Sequence, residues 1–155
     1  MASSPRTPCI GICSTGIGDD VCRGCKRFAQ EVIDWNSYTA EERQAVLKRI
    51  DGFLVQIMQT KFAIVDAGLL RQQIQYQQIA FDAGKDPYTW LFELLRWGAG
   101  QIQDLSVFGV MHSTQSERQT LAEIKSDVDK EIYDLACAYY QRYVVPGLSS
   151  EALLS

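Results

Sequence analysis

The chain has 155 residues, enough for one ordinary domain or for a small module joined to a compact bundle. Nearly half of the residues are apolar (46%), which predicts a packed core rather than a disordered chain. The net charge of −4 argues against a duplex-DNA binder, because such proteins usually carry a basic face, and it argues against anionic membranes for the same reason.

The N-terminal sequence MASSPRTP contains no apolar h-region, so a secretory signal peptide is not expected. Two later apolar stretches, 53–70 and 88–111, carry charged and amide side chains that a lipid-spanning helix of about 20 residues tolerates poorly. We interpret both as buried helices, predict no transmembrane segment, and expect a cytoplasmic protein. Thiols stay reduced in the cytoplasm, so clustered cysteines there indicate metal or redox chemistry.

Residues 1–36 differ in composition from the rest of the chain, because they hold four of the five cysteines and few large apolar side chains. So few apolar groups cannot offset an ordering cost of roughly 1–2 kcal/mol per residue. A structural zinc ion contributes about 10–16 kcal/mol in small modules. We therefore predict a metal-binding knuckle with a short helix over 1–36, followed by a helical bundle over 37–155.

Cys9, Cys13, Cys22 and Cys25 follow the spacing C-x3-C-x8-C-x2-C. Each pair is joined by a short loop containing a glycine, so its two sulfurs can point at one ion, and Gly24 suits a positive φ that turns N–H groups toward them. The spacing predicts one four-cysteine centre, either zinc or an iron–sulfur cluster. Unrelated thiols and two disulfides are the alternatives, and the second requires an oxidising compartment.

Residues 26–35 after the last cysteine are predicted to form a short helix whose N-terminal end would favour nearby thiolates. The basic side chains of Arg6, Arg23, Lys26 and Arg27 are expected to offset the negative charge of four thiolates.

Helical patterning begins after residue 36. Thr39 and Glu42 form a capping box, and apolar residues then recur at spacings of three and four. Gly68 is expected to interrupt this helix. Asp86 and Pro87 predict the N-cap and first position of a helix that ends near Gly98, with a related segment over 101–111.

The last predicted helix starts at a second capping box, Ser116 to Gln119, and Pro146-Gly147 closes it. Its apolar residues are spaced almost as a heptad stripe: Leu121, Ile124, Val128, Ile132, Leu135 and Tyr139.

The helix after Pro87 carries large apolar residues on nearly all sides, so we expect it to be buried centrally or against another subunit. Together with the heptad-like stripe, this predicts self-association. The residues in question are Trp90, Phe92, Leu94, Leu95 and Trp97.

The cysteine motif, the tryptophan ten residues after its last cysteine, and Glu42-Arg43 downstream resemble an uncharacterised family of short bacterial proteins labelled predicted iron–sulfur proteins (YdhL-like). The resemblance covers about residues 5–50. It implies an iron–sulfur centre held by Cys9, Cys13, Cys22 and Cys25, and no established reaction. The chain continues for roughly a hundred residues beyond the usual short module.

The remaining reactive residues do not form a recognisable catalytic set. Cys22 and Cys25 lack the βαβ context of a thioredoxin-type redox pair, Cys137 is expected to be a buried structural thiol, and His112 a surface residue. We therefore expect a non-enzymatic, metal-binding protein that interacts with a protein partner; an iron–sulfur electron-transfer or redox-sensing protein is the alternative. A nucleic-acid-binding zinc finger is disfavoured by the acidic net charge.

Overall fold

The computed structural model describes residues 8–10, 13–114 and 117–147. The described part contains five α-helices and one two-stranded sheet, which confirms the predicted mainly helical class. The elements, in chain order, are α1 (Ala29–Asp34), α2 (Ala40–Lys61), β1 (Phe62–Ile64), α3 (Ala67–Tyr76), α4 (Pro87–Gly98), β2 (Val110–His112) and α5 (Leu121–Tyr139). Short 3₁₀ helices lie at Ser14–Ile17, Trp35–Ser37 and Leu105–Phe108, and a π-helical turn at Tyr140–Val144 follows α5.

The chain divides into two compact units. The terminal unit consists of Met1–Phe53 together with Glu131–Ser155, and the middle unit is Leu54–Lys130. Helices α2 and α5 each contribute residues to both units. The predicted change of organisation at residue 36 remains a prediction.

The core of the terminal unit joins the N-terminal segment to the C-terminal helix. Val21, Phe28 and Ala136 are buried together, and the Phe28 ring lies 6.2 Å from that of Tyr139 and 5.1 Å from that of Tyr140. Aromatic pairs at these separations add roughly 0.5–1.5 kcal/mol beyond the area that they bury. The N-terminal segment therefore has apolar anchors of its own, at Val21 and Phe28.

The middle unit has a core made mostly of aliphatic side chains, together with Phe62 and Met58. One face of α4 is buried and Trp97 is 65% exposed, so this helix is not buried on all sides within the chain, and its burial against another subunit stays a prediction. Trp97 lies in the last turn, where its indole N–H donates to Glu93. The fully buried side chains of this unit are Met58, Phe62, Leu70, Ile74, Leu91, Leu94, Leu95, Val110, Ile124 and Val128.

Helix starts follow local side-chain chemistry. The predicted box at Thr39 and Glu42 is confirmed by two reciprocal hydrogen bonds, each of 3.1 Å. The predicted start of α4 is confirmed as well, since Asp86 accepts from the Tyr88 N–H and Pro87 is the first residue. Each of these starts satisfies backbone N–H groups that the helix leaves without an internal partner.

The start of α5 differs from the prediction. Thr120 and Glu123 form the capping box, so the helix begins at Leu121 and not at the predicted Ser116–Gln119 box, of which Ser116 lies outside the described residues. Both boxes fit the sequence pattern, and the structure uses the second.

The segment between α4 and α5 is not the predicted helical continuation over 101–111. It forms the 3₁₀ helix Leu105–Phe108 and strand β2, which pairs antiparallel with β1 so that Phe62 faces His112. Gly109 takes a φ of 70°, which an α-helix does not accommodate, and its carbonyl accepts from the N–H groups of Val65 and Asp66. Because β1 follows Lys61 directly, α2 ends there, before the expected interruption at Gly68, and Gly68 lies within α3.

Candidate functional site

The second cysteine pair lies in a tight loop, residues 22–27, which we call the cysteine loop. Val21 and Phe28 close it through an antiparallel bridge. Within it the Cys22 N–H donates to the Arg27 carbonyl at 2.9 Å, and the Lys26 N–H donates to the Cys22 carbonyl at 2.8 Å. Lys26, with a φ of 65°, takes the left-handed conformation that was expected at Gly24. The loop is thus pinned at both ends and reverses the chain in six residues.

The Cys22 sulfur is buried among hydrogen-bond donors. Burial raises the pKa of this thiol, but hydrogen bonds from the backbone N–H groups of Cys25, Ser14 and Gly24, and from the Cys25 side chain, lower it from 9.0 to about 7. Donors aimed at a sulfur stabilise its anionic form. The lowered pKa increases the fraction of Cys22 that is present as the thiolate, the reactive form of cysteine.

The Cys25 sulfur accepts from a cationic side chain. Arg27 Nε donates to Cys25 Sγ at 3.2 Å, and both residues are buried. Burial raises the pKa of the Cys25 thiol, and the hydrogen bonds and positive charge of Arg27 counteract part of that rise. The guanidinium carbon of Arg27 lies 4.7 Å from the centre of the Trp35 ring.

The first cysteine pair is exposed. Cys13 Sγ lies 3.0 Å from the Thr15 hydroxyl, and Cys9 is also at the surface. Ser14, the residue after Cys13, is buried, and its hydroxyl accepts from the Arg23 N–H at 2.8 Å. This bond ties the segment after Cys13 to the cysteine loop.

The structure therefore brings Cys22 and Cys25 together and places Cys9 and Cys13 at the surface. Over residues 8–10, 13–114 and 117–147, no group of three or more histidine, cysteine, aspartate or glutamate side chains is arranged to hold a metal ion. All five cysteines fall within these ranges, and none of them forms a disulfide. The disulfide alternative thus receives no support.

The four basic side chains expected near the thiolates have different environments. Arg27 contacts a cysteine sulfur as expected, whereas Arg23 binds the Asp19 carboxylate at 3.2 Å and Lys26 Nζ donates to the Gly24 carbonyl. Arg6 lies outside the described residues. Arg27 therefore donates a side-chain hydrogen to a predicted ligand.

Ser14 was missed by sequence reasoning, although it supplies a backbone donor to Cys22 and a buried hydroxyl. Its position directly after a cysteine was the available signal. The pairing of Glu31 with Arg49 was missed too: Arg49 donates to both Glu31 oxygens, at 2.6 and 2.8 Å, and lies 4.0 Å from the Phe28 ring centre. These two residues are 18 positions apart, so no local pattern shows the contact.

The other two reactive residues, Cys137 and His112, pack against neighbouring side chains. Cys137 packs against the core of the terminal unit and hydrogen-bonds with Tyr133, an interaction that raises the pKa of the tyrosine. His112 lies in β2 of the middle unit, with its ring 5.6 Å from that of Phe62. It is partly buried rather than fully at the surface.

One stretch of the chain, which includes the cysteine loop, α1 and the first part of α2, matches a known protein family. Residues 7–53 match the family described as protein of unknown function (DUF1289). This match confirms the resemblance of the N-terminal region to an uncharacterised family. It ends at residue 53, where the first segment of the terminal unit also ends.

No curated protein and no solved structure matches the chain. None of the helices in the described part of the chain has the length and apolar character that crossing a lipid bilayer requires.

Proposed function

We propose that Cys9, Cys13, Cys22 and Cys25 together bind one metal centre, zinc or an iron–sulfur cluster, and that the protein is a metal-stabilised module that binds a protein partner. The observation that carries this proposal is the environment of Cys22. Three backbone N–H groups converge on its sulfur, and a metal-bound thiolate needs such donors because it keeps most of its negative charge.

The donor set fits both metals. Four cysteine thiolates suit tetrahedral zinc, and they suit an iron–sulfur cluster equally. Around a divalent ion, four thiolates leave about two excess negative charges. Arg27, which donates to Cys25, offsets one of them. Cys9 and Cys13 are exposed, so a metal can reach their thiols from solvent.

A closed set of four cysteine ligands fits a structural role better than a catalytic one. Four protein ligands leave no position for a water or a substrate, which is the property of a structural site rather than a catalytic one. The only histidine of the sequence, His112, belongs to the middle unit, so the terminal unit has no imidazole for acid–base work. Lys26 and Arg27 are buried, which leaves them poorly placed to contact nucleic-acid phosphates.

Ile17 and Ile33 favour a protein partner. They are 87% and 73% exposed and lie on the segments before and after the cysteine loop. A partner that covered them would remove apolar surface from water. Self-association is the simplest form of such an interface, and sedimentation of a clean monomer at micromolar concentration would contradict it.

Electron transfer or redox sensing is the second candidate. The exposure of Cys9 and Cys13 favours it, because a cluster bound through them would have an edge near solvent. The resemblance to proteins labelled iron–sulfur proteins supports the same candidate.

Anaerobic purification followed by metal and sulfide analysis and visible absorption tests the proposal. A colourless protein with one zinc per chain supports the structural module, and a brown, sulfide-containing protein whose colour bleaches reversibly on reduction supports the redox candidate. Cys22→Ser should lose the metal and Cys137→Ser should keep it. A wild-type chain that carries neither metal, and takes up neither on reconstitution, contradicts the whole proposal.

A further inference from the structure

Arg27 is a buried cation whose side chain is directed at a sulfur. The residue is 3% exposed, and its Nε donates to Cys25 Sγ at 3.2 Å. A charge removed from water in this way is costly unless it has an anionic or strongly accepting partner. A neutral thiol is a weak acceptor, whereas a thiolate satisfies both the charge and the hydrogen bond.

The orientation of Arg27 is fixed by an aromatic ring. Its guanidinium lies 4.7 Å from the ring centre of Trp35, which is itself 5% exposed. Arg43 holds Trp35 in place, since Arg43 Nε donates to the Trp35 carbonyl at 2.9 Å. A preorganised donor of this kind loses little conformational entropy when it hydrogen-bonds to the sulfur.

We propose that Arg27 supports the metal centre without binding the metal: its hydrogen bond to Cys25 Sγ orients this sulfur as a ligand, and its positive charge offsets part of the negative charge of the four-cysteine site. This inference rests on the proposed metal-binding function and adds a positioning residue to it. No electron or proton transfer is required of Arg27.

Arg23 provides a matched control. It carries the same charge and lies beside Cys22 in the sequence, but its side chain is 69% exposed and its Nε binds Asp19 at 3.2 Å. Removing its charge leaves the Arg27–Cys25 hydrogen bond in place. A difference in metal affinity between the Arg27 and Arg23 variants therefore reports the loss of the Arg27–Cys25 hydrogen bond and not the change in net charge.

The test uses the full-length chain with Co²⁺ as the probe, because thiolate-to-cobalt charge-transfer absorption reports sulfur ligation directly. Wild type, Arg27→Gln, Arg27→Lys and Arg23→Gln are titrated with Co²⁺ against a competing chelator. Loss of an outer-layer partner lowers metal affinity by about 10- to 100-fold, and we expect this for Arg27→Gln. Arg23→Gln should stay within about twofold of wild type, and Arg27→Lys, which keeps a charged donor, should lie between wild type and Arg27→Gln.

Urea unfolding of the metal-free chains separates binding from packing. A purely structural role, through the contact with Trp35, would lower the metal-free midpoint and leave Co²⁺ affinity unchanged. An Arg27→Gln affinity within about twofold of wild type overturns the inference, as does an Arg27→Lys affinity no better than that of Arg27→Gln. If Arg27→Gln does not fold, the Co²⁺ affinities of Arg27→Lys and Arg23→Gln are compared instead. Equal affinities of these two variants overturn the proposed role of Arg27. A wild-type chain without cobalt–thiolate absorption overturns the proposed function itself.

Discussion

Replacing Arg49 by methionine removes the cation that Glu31 binds in the terminal unit. The two side chains are 18% and 11% exposed, and two hydrogen bonds of 2.6 and 2.8 Å join them. Methionine keeps much of the aliphatic length and removes the charge. The Glu31 carboxylate would then keep one described donor, the Phe28 N–H at 2.8 Å.

The magnitude follows from the burial of the pair. Breaking a fully buried ion pair by removing one partner costs about 3–5 kcal/mol, and partial exposure places Arg49→Met near the lower end, about 3 kcal/mol. The lost contact between the guanidinium and the Phe28 ring, at 4.0 Å, accounts for roughly 1 kcal/mol of that loss. Because the stranded carboxylate causes most of the damage, adding Glu31→Gln should recover about 1–2 kcal/mol.

The assay is urea unfolding followed by far-ultraviolet circular dichroism, with a chelator present so that metal binding does not contribute. Lys125→Met is the control, because its ion pair with Asp129 is about one-third exposed on both sides and should contribute no more than about 0.5 kcal/mol. An Arg49→Met loss of stability no larger than that of Lys125→Met would show that the Glu31–Arg49 ion pair does not stabilise the terminal unit. A double variant that is less stable than Arg49→Met alone would show that the stranded carboxylate is not the cause of the loss.

The remaining predictions concern backbone geometry, caps and packing, and unfolding midpoints check them all. Gly109→Ala should destabilise the protein by more than about 2 kcal/mol, because φ is +70° and a Cβ would lie 2.6 Å from the Asp66 carbonyl oxygen. Gly52→Ala in α2, where a Cβ would meet nothing within 4 Å, should stabilise it by about 0.5–1 kcal/mol. Equal effects of the two substitutions would contradict both predictions. Thr39→Ala and Thr120→Ala should each cost about 1 kcal/mol, and a neutral Thr120→Ala would argue against the observed start of α5. Leu94→Ala should cost about 2–5 kcal/mol, since this side chain is 1% exposed, whereas Trp97→Ala should cost much less.

The sequence predicts the parts of the fold that depend on neighbouring residues. The starts at Thr39 and Asp86 were predictable because each cap is a bond between a side chain and a backbone group two or three positions away. Two capping-box patterns precede α5, one starting at Ser116 and one at Thr120. The local sequence does not show which of these two residues is the N-cap. Strand β2 could not be predicted from an apolar run alone, since its pairing with β1 joins residues about fifty positions apart.

The candidate site shows the same division. The spacing of Cys22 and Cys25 predicts their proximity, and the structure places them in one loop of six residues. The left-handed residue of that loop is Lys26, although glycine is the residue that adopts this conformation most easily. Cys9 and Cys13 lie exposed at the surface, so the four-cysteine centre remains a proposal. The stacking of Arg27 on Trp35 depends on tertiary packing across eight residues and has no pattern of its own.

X-ray absorption at the metal edge of the anaerobically purified, full-length protein measures the ligand set most directly. If all four cysteines bind the metal, its first shell should hold four sulfur atoms at about 2.3 Å, for zinc and for iron alike, and the sulfur count should fall in Cys9→Ser and in Cys13→Ser. A shell of two sulfurs completed by oxygen or nitrogen would contradict the four-cysteine centre, because the metal would then be held by Cys22 and Cys25 alone.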